Sequence, residues 1–163
     1  MMSSIPMMTS EMIEATLDKL FPNFAYRKLQ RETILKALNY MLIQGKKYVI
    51  VDGPVGSGKS YIAYIIAKVY NYILGEETLF LTKTILLQDQ YLRDFKDIVK
   101  LMGAENYECS VDYYVPIVPK LKHHKTCKYT KNSGCCEYAK AKAQYQNSKL
   151  KLLNYAFYTK GID

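Results

Sequence analysis

An eight-residue segment, from position 53 to position 60, has the residue types and the spacing of a phosphate-binding P-loop. Its three glycines allow the backbone to turn so that N–H groups point at phosphate oxygens. Lys59 is expected to reach the β- and γ-phosphates of ATP and Ser60 to bind Mg²⁺, which makes these two the predicted catalytic residues. The predicted cofactor-binding segment consists of Gly53, Pro54, Val55, Gly56, Ser57, Gly58, Lys59 and Ser60.

The residues on either side predict the strand and the helix that a P-loop requires. Residues 48–51 form a short apolar run typical of a buried parallel strand. After the loop, apolar residues recur at helical spacing as far as Gly75, where we expect the helix to end. The apolar run at residues 79–81 predicts a second strand. Residues 48–81 should therefore form a right-handed, parallel strand–helix–strand unit.

Hydrophobic periodicity predicts the remaining elements. Residues 11–21 should form a helix capped by Ser10, and residues 27–44 a second helix. A later helix should carry apolar residues on one face and end at Gly103. The run at residues 150–153 predicts a third strand. The pattern indicates an α/β protein with a parallel sheet.

Composition and charge narrow the class of partner. The chain of 163 residues is 49% hydrophobic, which indicates a globular protein, and its net charge of +8 favours an anionic partner. The N-terminus has no signal-peptide pattern, and the most apolar run, residues 61–74, contains Lys68 and is too short to cross a bilayer. A P-loop protein is normally intracellular, so we expect this protein to be intracellular.

The positive charge is concentrated in residues 117–160, which hold ten lysines and a single acid, Glu137. A solvated surface is the usual explanation of a lysine-rich run. Here, tyrosines lie among the lysines, and basic and aromatic groups together suit single-stranded nucleic acid. We favour the second interpretation, because a P-loop protein already needs an anionic ligand. The tyrosines are Tyr129, Tyr138, Tyr145, Tyr155 and Tyr158.

All the cysteines lie in residues 105–148, a segment with weak periodicity. Thiols stay reduced inside cells, so clustered cysteines favour a metal over disulfides. Four thiolates suit a 4Fe–4S cluster, whereas three thiolates with His123 or His124 would suit zinc. The histidine alternative arises because side chains of adjacent residues, here Cys135 and Cys136, tend to point apart. Unliganded thiols are the third alternative. The cysteines are Cys109, Cys127, Cys135 and Cys136.

Taken in order, several motifs resemble the DinG/XPD group of superfamily 2 DNA helicases, whose first RecA-like domain carries an iron–sulfur insertion. Residues 21–30, Phe-Pro-Asn-Phe-Ala-Tyr-Arg-Lys-Leu-Gln, resemble the group's opening motif, and the P-loop comes next. Residues 80–84 resemble the motif that touches the DNA backbone. Residues 136–138 and 154–158 resemble the last cluster cysteine and the strand behind it. The likeness spans about residues 21–163.

The resemblance implies an incomplete P-loop (RecA-like) parallel-sheet domain with a cysteine-rich insertion. It implies that all four cysteines hold the 4Fe–4S cluster, with zinc as the alternative. The adenine side should be bound by Arg27 and Gln30, and DNA by Thr82, Lys83 and Thr84. The implied organisation is N-terminal helices with the adenine-side motif in 1–46, the P-loop core in 47–104, the insertion in 105–148 and a strand re-entering the core in 149–163.

The implied function is the ATP- and single-stranded-DNA-binding front end of a 5′→3′ DNA helicase, in the cytoplasm or on the nucleoid. The sequence has no acidic pair after a strand to anchor Mg²⁺ a second time. Hydrolysis is therefore expected to need a missing C-terminal part, or a partner chain, carrying the DEAH motif and a second RecA-like domain. The alternatives are a regulatory DNA-binding helicase paralogue and a zinc-containing P-loop protein of another class.

Overall fold

The computed structural model describes residues 8–103, 106–107 and 137–160. The chain forms two compact units, Met1–Glu76 and Glu77–Asp163. The described elements of the first are three helices: α1 (Ser10–Leu20), α2 (Gln30–Leu42) and α3 (Lys59–Leu74). The described elements of the second are β1 (Thr78–Thr82), α4 (Ile85–Asp94), β2 (Val99–Lys100), α5 (Glu137–Asn147), β3 (Leu150–Asn154) and α6 (Tyr155–Thr159).

The first unit has a core made by one apolar stripe from each helix, as the helical periodicity predicts. Every residue of this core is at most 6% exposed. The cap of α1 differs by one residue from the prediction: the Thr9 hydroxyl accepts the Met12 N–H at 3.3 Å, and Ser10 is the first helical residue. The core residues are Ile13, Leu17, Ile34, Leu38, Ile62, Ile65 and Val69.

The prediction of a buried strand at residues 48–51 is wrong. These residues belong to no strand, and the side chains of Tyr48 and Ile50 are 88% and 94% exposed. Val51 is partly buried against the helical core, so the apolar side chains of this run are not buried together. A strand also needs neighbours that complete its backbone hydrogen bonds, and apolar sequence does not supply them. The predicted strand–helix–strand unit is accordingly not formed in the described residues.

The second unit contains a parallel sheet with the strand order β1-β3-β2. Phe80 lies opposite Leu152, and Val99 lies opposite Lys151. The predicted strands at residues 79–81 and 150–153 are confirmed. β3 takes the centre because its apolar residues can be buried on both faces, as a central parallel strand requires. The α/β class with a parallel sheet is therefore confirmed.

The helix that was expected to end at Gly103 is shorter than predicted. α4 ends at Asp94, and β2 follows at Val99–Lys100. Phe95 and Ile98 are buried, so their spacing reflects packing of a loop rather than a helix face. α5 lies in the segment in which the sequence shows only weak periodicity. Its lysines and alanines favour a helix, and Tyr145 is its one buried residue, so the helix has little apolar pattern. The predicted boundary at residue 105 and the four cysteines of the predicted insertion lie outside the described residues, whereas residues 106–107 and 137–148 of that insertion are described.

Candidate nucleotide and nucleic-acid sites

The P-loop forms the turn predicted for it, immediately before α3. Gly56 and Gly58 have φ values of +82° and +81°, a left-handed conformation that favours glycine. The Ser57 N–H donates to the Pro54 carbonyl at 3.2 Å, which closes the turn. Lys59 is the first residue of α3. The local sequence therefore makes this loop without the strand that was expected to precede it.

The backbone of the loop offers an anion site. The N–H groups of Gly56, Gly58 and Lys59 donate to no other residue in the described part of the chain. The first backbone hydrogen bond of α3 runs from the Ile62 N–H to the Gly58 carbonyl at 3.0 Å. Open N–H groups at the positive end of a 16-residue helix suit a phosphate. Ser60, in the first turn of this helix, is partly buried.

The Lys59 side chain folds back over the start of the loop. Its Nζ donates to the Gly53 carbonyl at 2.7 Å and to the Pro54 carbonyl at 3.0 Å. The Asp52 carboxylate accepts the Gly53 N–H at 2.7 Å and steadies the same turn. The ammonium group thus lies beside the loop on neutral acceptors, and a phosphate group would provide a stronger, charged acceptor.

Arg27 and Gln30, predicted to lie near adenine, both bind the backbone of the P-loop. The Arg27 guanidinium donates to the Gly56 carbonyl, and Gln30 Nε2 donates to the Ser57 carbonyl at 3.1 Å. Gln30 Oε1 also accepts the Arg27 N–H at 2.8 Å, and the side chain is buried. Its amide nitrogen occupies the space that a Cβ at Gly58 would need. The two residues therefore brace the loop, and their contact with adenine stays a prediction.

The three predicted DNA-binding residues lie at the carboxyl end of β1, of which Thr82 is the last residue, and their side chains differ in exposure. Thr82 is buried, so its side chain supports the strand end. The Thr84 hydroxyl caps α4 by accepting the Leu87 N–H at 3.3 Å. Lys83 is exposed and is the residue of the three that is free to meet a phosphate. The prediction of DNA contact is thus strongest for Lys83.

Asn154, the last residue of β3, has a structural role that the sequence analysis did not predict. Its Nδ2 donates to the Lys83 carbonyl at 3.2 Å, and its Oδ1 accepts the Ala156 N–H at 2.8 Å as the cap of α6. An asparagine between an apolar run and a helical segment is the signal that could have indicated this role. Asn154 therefore links the ends of the neighbouring strands β1 and β3.

Exposed apolar and basic residues follow these two strand ends. We call them the carboxyl-edge surface. Leu86 is 83% exposed, and Tyr155 and Tyr158 are 58% and 48% exposed. The exposed ends of Lys83 and Lys160 add positive charge. The surface consists of Lys83, Leu86, Tyr155, Tyr158 and Lys160.

Part of the lysine-rich segment forms ion pairs. Lys140 pairs with Glu137 at 2.8 Å, and Lys151 pairs with Glu77. The hydrogen bond from Lys151 lowers the pKa of the Glu77 carboxyl. The charges of Lys140 and Lys151 are partly neutralised by these acids, so the two lysines are less suited to binding phosphate than lysines without an acidic partner would be.

The predicted metal ligands lie outside the described residues: Cys109, Cys127, Cys135, Cys136, His123 and His124. Within the described ranges, no group of three or more histidine, cysteine or acidic residues could hold a metal ion. The helices in these ranges are also too short or too polar to cross a membrane.

Comparison with known families shows the family to which the chain belongs. The family model of the type III restriction enzyme res subunit (ResIII) matches residues 23–155, which include the P-loop and the three strands that the structure describes. The chain belongs to the ResIII family. This family has a superfamily 2 helicase-like domain, so the predicted superfamily is confirmed, and the use of ATP and Mg²⁺ and the binding of nucleic acid follow from it. The match does not distinguish the DinG/XPD group. A search of curated proteins finds no match.

Proposed function

We propose that this ResIII-family chain is the ATP-binding part of a helicase acting on single-stranded DNA. The observation that carries the proposal is the P-loop at the N-terminus of α3, with its open N–H groups and Lys59 beside them. ATP binding would supply the energy for movement along a strand, and the carboxyl-edge surface would hold that strand.

Different residues of the loop would bind different parts of the nucleotide. The N–H groups of Gly56, Gly58 and Lys59 would bind phosphate oxygens, and Ser60 would bind Mg²⁺, which neutralises charge on the phosphates. Lys59 would exchange the Gly53 and Pro54 carbonyls for the β- and γ-phosphates. Because a hydrogen bond between charged groups is about twice as strong as a neutral one, the exchange favours the bound state.

Substitution of Lys59 tests the nucleotide site. Lys59→Ala removes the charge that would meet the phosphates, so we expect affinity for a fluorescent ATP analogue to fall at least about tenfold, which corresponds to about 1.4 kcal/mol. Lys47→Ala is the matched control, because it removes the same charge from an exposed site outside the loop. Equal affinity of the two variants would refute the assigned site.

The nucleic-acid part of the proposal rests on the carboxyl-edge surface. Two exposed tyrosines provide rings for stacking on bases, and Lys83 and Lys160 provide charge for phosphates. Affinity for a single strand should fall with salt by about 0.7 log units per decade for each phosphate contact. Lys83→Ala should reduce this slope, and a slope that does not change would argue for a merely solvated surface.

The finer assignment within the superfamily rests on the motif resemblance. We infer a DinG/XPD-like 5′→3′ helicase with a 4Fe–4S cluster on the four cysteines, whose hydrolytic acids come from a further segment or a partner chain with a DEAH motif. Anaerobically prepared protein should then contain iron and acid-labile sulfide. Zinc without sulfide would instead support three cysteines with His123 or His124.

A further inference from the structure

A cavity of about 230 Å³ lies in the unit Glu77–Asp163, at the carboxyl ends of β2 and β3. In open parallel sheets this edge is where ligands bind. The lining combines apolar side chains with amide groups and a lysine. Its lining includes Gln88, Leu101, Asn106, Asn154, Phe157 and Lys160.

Gln88 is the unusual residue of this cavity. It is 1% exposed and is the one buried residue of α4, yet its Nε2 has no hydrogen-bond partner among the described residues. A buried amide without a partner costs about 1–3 kcal/mol. Because Gln88 lines the cavity, a small side-chain adjustment would bring its amide group, which carries a donor and an acceptor, to a ligand there. A ligand with a complementary hydrogen-bonding edge would recover that cost.

The size and lining of the cavity suit one planar ring system. A cavity of about 150 Å³ takes up benzene, whereas pockets for drug-sized ligands begin at about 300 Å³. The 230 Å³ available here is therefore enough for one nucleobase. Phe157 and Leu101 provide apolar contact for a ring. The exposed Lys160 provides charge for a phosphate joined to it.

We propose that this cavity receives one unstacked base of the bound single strand and that Gln88 reads its edge. An amide offers one donor and one acceptor side by side, and this pattern matches N7 and the N6 amino group of adenine. The site should therefore prefer adenine. This inference rests on the proposed nucleic-acid function and adds a base-specific contact to the backbone contacts of the carboxyl-edge surface.

The test compares single strands of equal length that are all adenine, all thymine or all abasic, in the absence of ATP. The wild-type chain should bind the adenine strand about tenfold more tightly than the thymine strand, within the range of one bidentate base contact. Gln88→Met keeps the length and the apolar stem of the side chain, and it should abolish this preference while binding of the abasic strand is unchanged. Lys83→Ala is the control that should weaken binding of all three strands alike.

A second measurement covers the case in which Gln88→Met does not fold. The side-chain N–H₂ resonances of Gln88 in the wild-type chain should shift on adding the adenine strand and not on adding the abasic strand. Lys59→Ala should retain the adenine preference, which separates this cavity from the ATP site. Equal binding of adenine and thymine strands, or a preference that survives Gln88→Met, would overturn the inference alone. Absence of binding to any strand would overturn the proposed nucleic-acid function and the inference with it.

Discussion

Substitution of Gly58 by alanine should damage the P-loop by two separable effects. Gly58 has a φ of +81°, and a left-handed backbone costs a residue with a Cβ about 1–2 kcal/mol. The new methyl group would also occupy the place of Gln30 Nε2. The displaced amide would lose its hydrogen bonds to the Ser57 carbonyl and the Arg27 N–H, at about 0.5–1.5 kcal/mol each.

Gly56→Ala provides a matched control in the same loop. Its φ of +82° gives the same backbone cost, but no atom lies within 4 Å of the position of its Cβ. The gain from a less flexible unfolded chain is common to both variants and cancels. The difference in free energy of unfolding between them should therefore be about 1–3 kcal/mol, which is the contribution of the two hydrogen bonds of Gln30.

Urea denaturation followed by circular dichroism measures this difference, and titration with a fluorescent ATP analogue measures its effect on the site. Gln30→Ala removes the obstructing amide, so adding Gly58→Ala to that background should cost only the backbone strain. The expected coupling is about 1 kcal/mol or more, because the two residues are in contact. Equal losses in Gly56→Ala and Gly58→Ala, or no coupling with Gln30→Ala, would show that Gln30 does not brace the loop as described.

Two further predictions concern other residues. The Tyr26 hydroxyl is buried without a partner among the described residues, so Tyr26→Phe should raise the free energy of unfolding by up to about 1 kcal/mol in urea denaturation. Burial also raises the pKa of Tyr26, so the folded state keeps the hydroxyl proton to a higher pH than the unfolded state does. This difference contributes stability that is complete below about pH 10 and is lost as pH rises through the higher folded pKa. The free energy of unfolding of the wild type should therefore fall more steeply above about pH 10 than that of Tyr26→Phe. Asn154→Ala should cost about 1 kcal/mol through the lost cap of α6 and speed hydrogen exchange of the Ala156 amide. Asn154→Asp should preserve that protection, because its carboxylate still accepts the amide, and equal exchange in the two variants would contradict the capping role.

The features that the sequence determined by itself are those that depend on neighbouring residues. The turn at Gly56 and Gly58 follows from the steric freedom of glycine, and Gly75 ends α3 with a φ of +71° for the same reason. The helices of the first unit follow from apolar residues at a period of 3.6. The continuous apolar run of β3 predicts a central parallel strand whatever its partners are. The motif order also predicted the superfamily that the family match confirms.

The tertiary structure decided the features that depend on distant partners. Residues 48–51 have a strand-like composition but belong to no strand. The two residues of β2 form a strand because they pair in parallel with β3. The bracing of the P-loop by Gln30 brings together residues that are 27 positions apart, and no local pattern contains that contact. The Gln88 side-chain nitrogen, which has no hydrogen-bond partner in the described part of the chain, is likewise recognised only in the tertiary structure. Local dihedral preferences are encoded residue by residue, but burial and hydrogen-bond pairing are properties of the assembled chain.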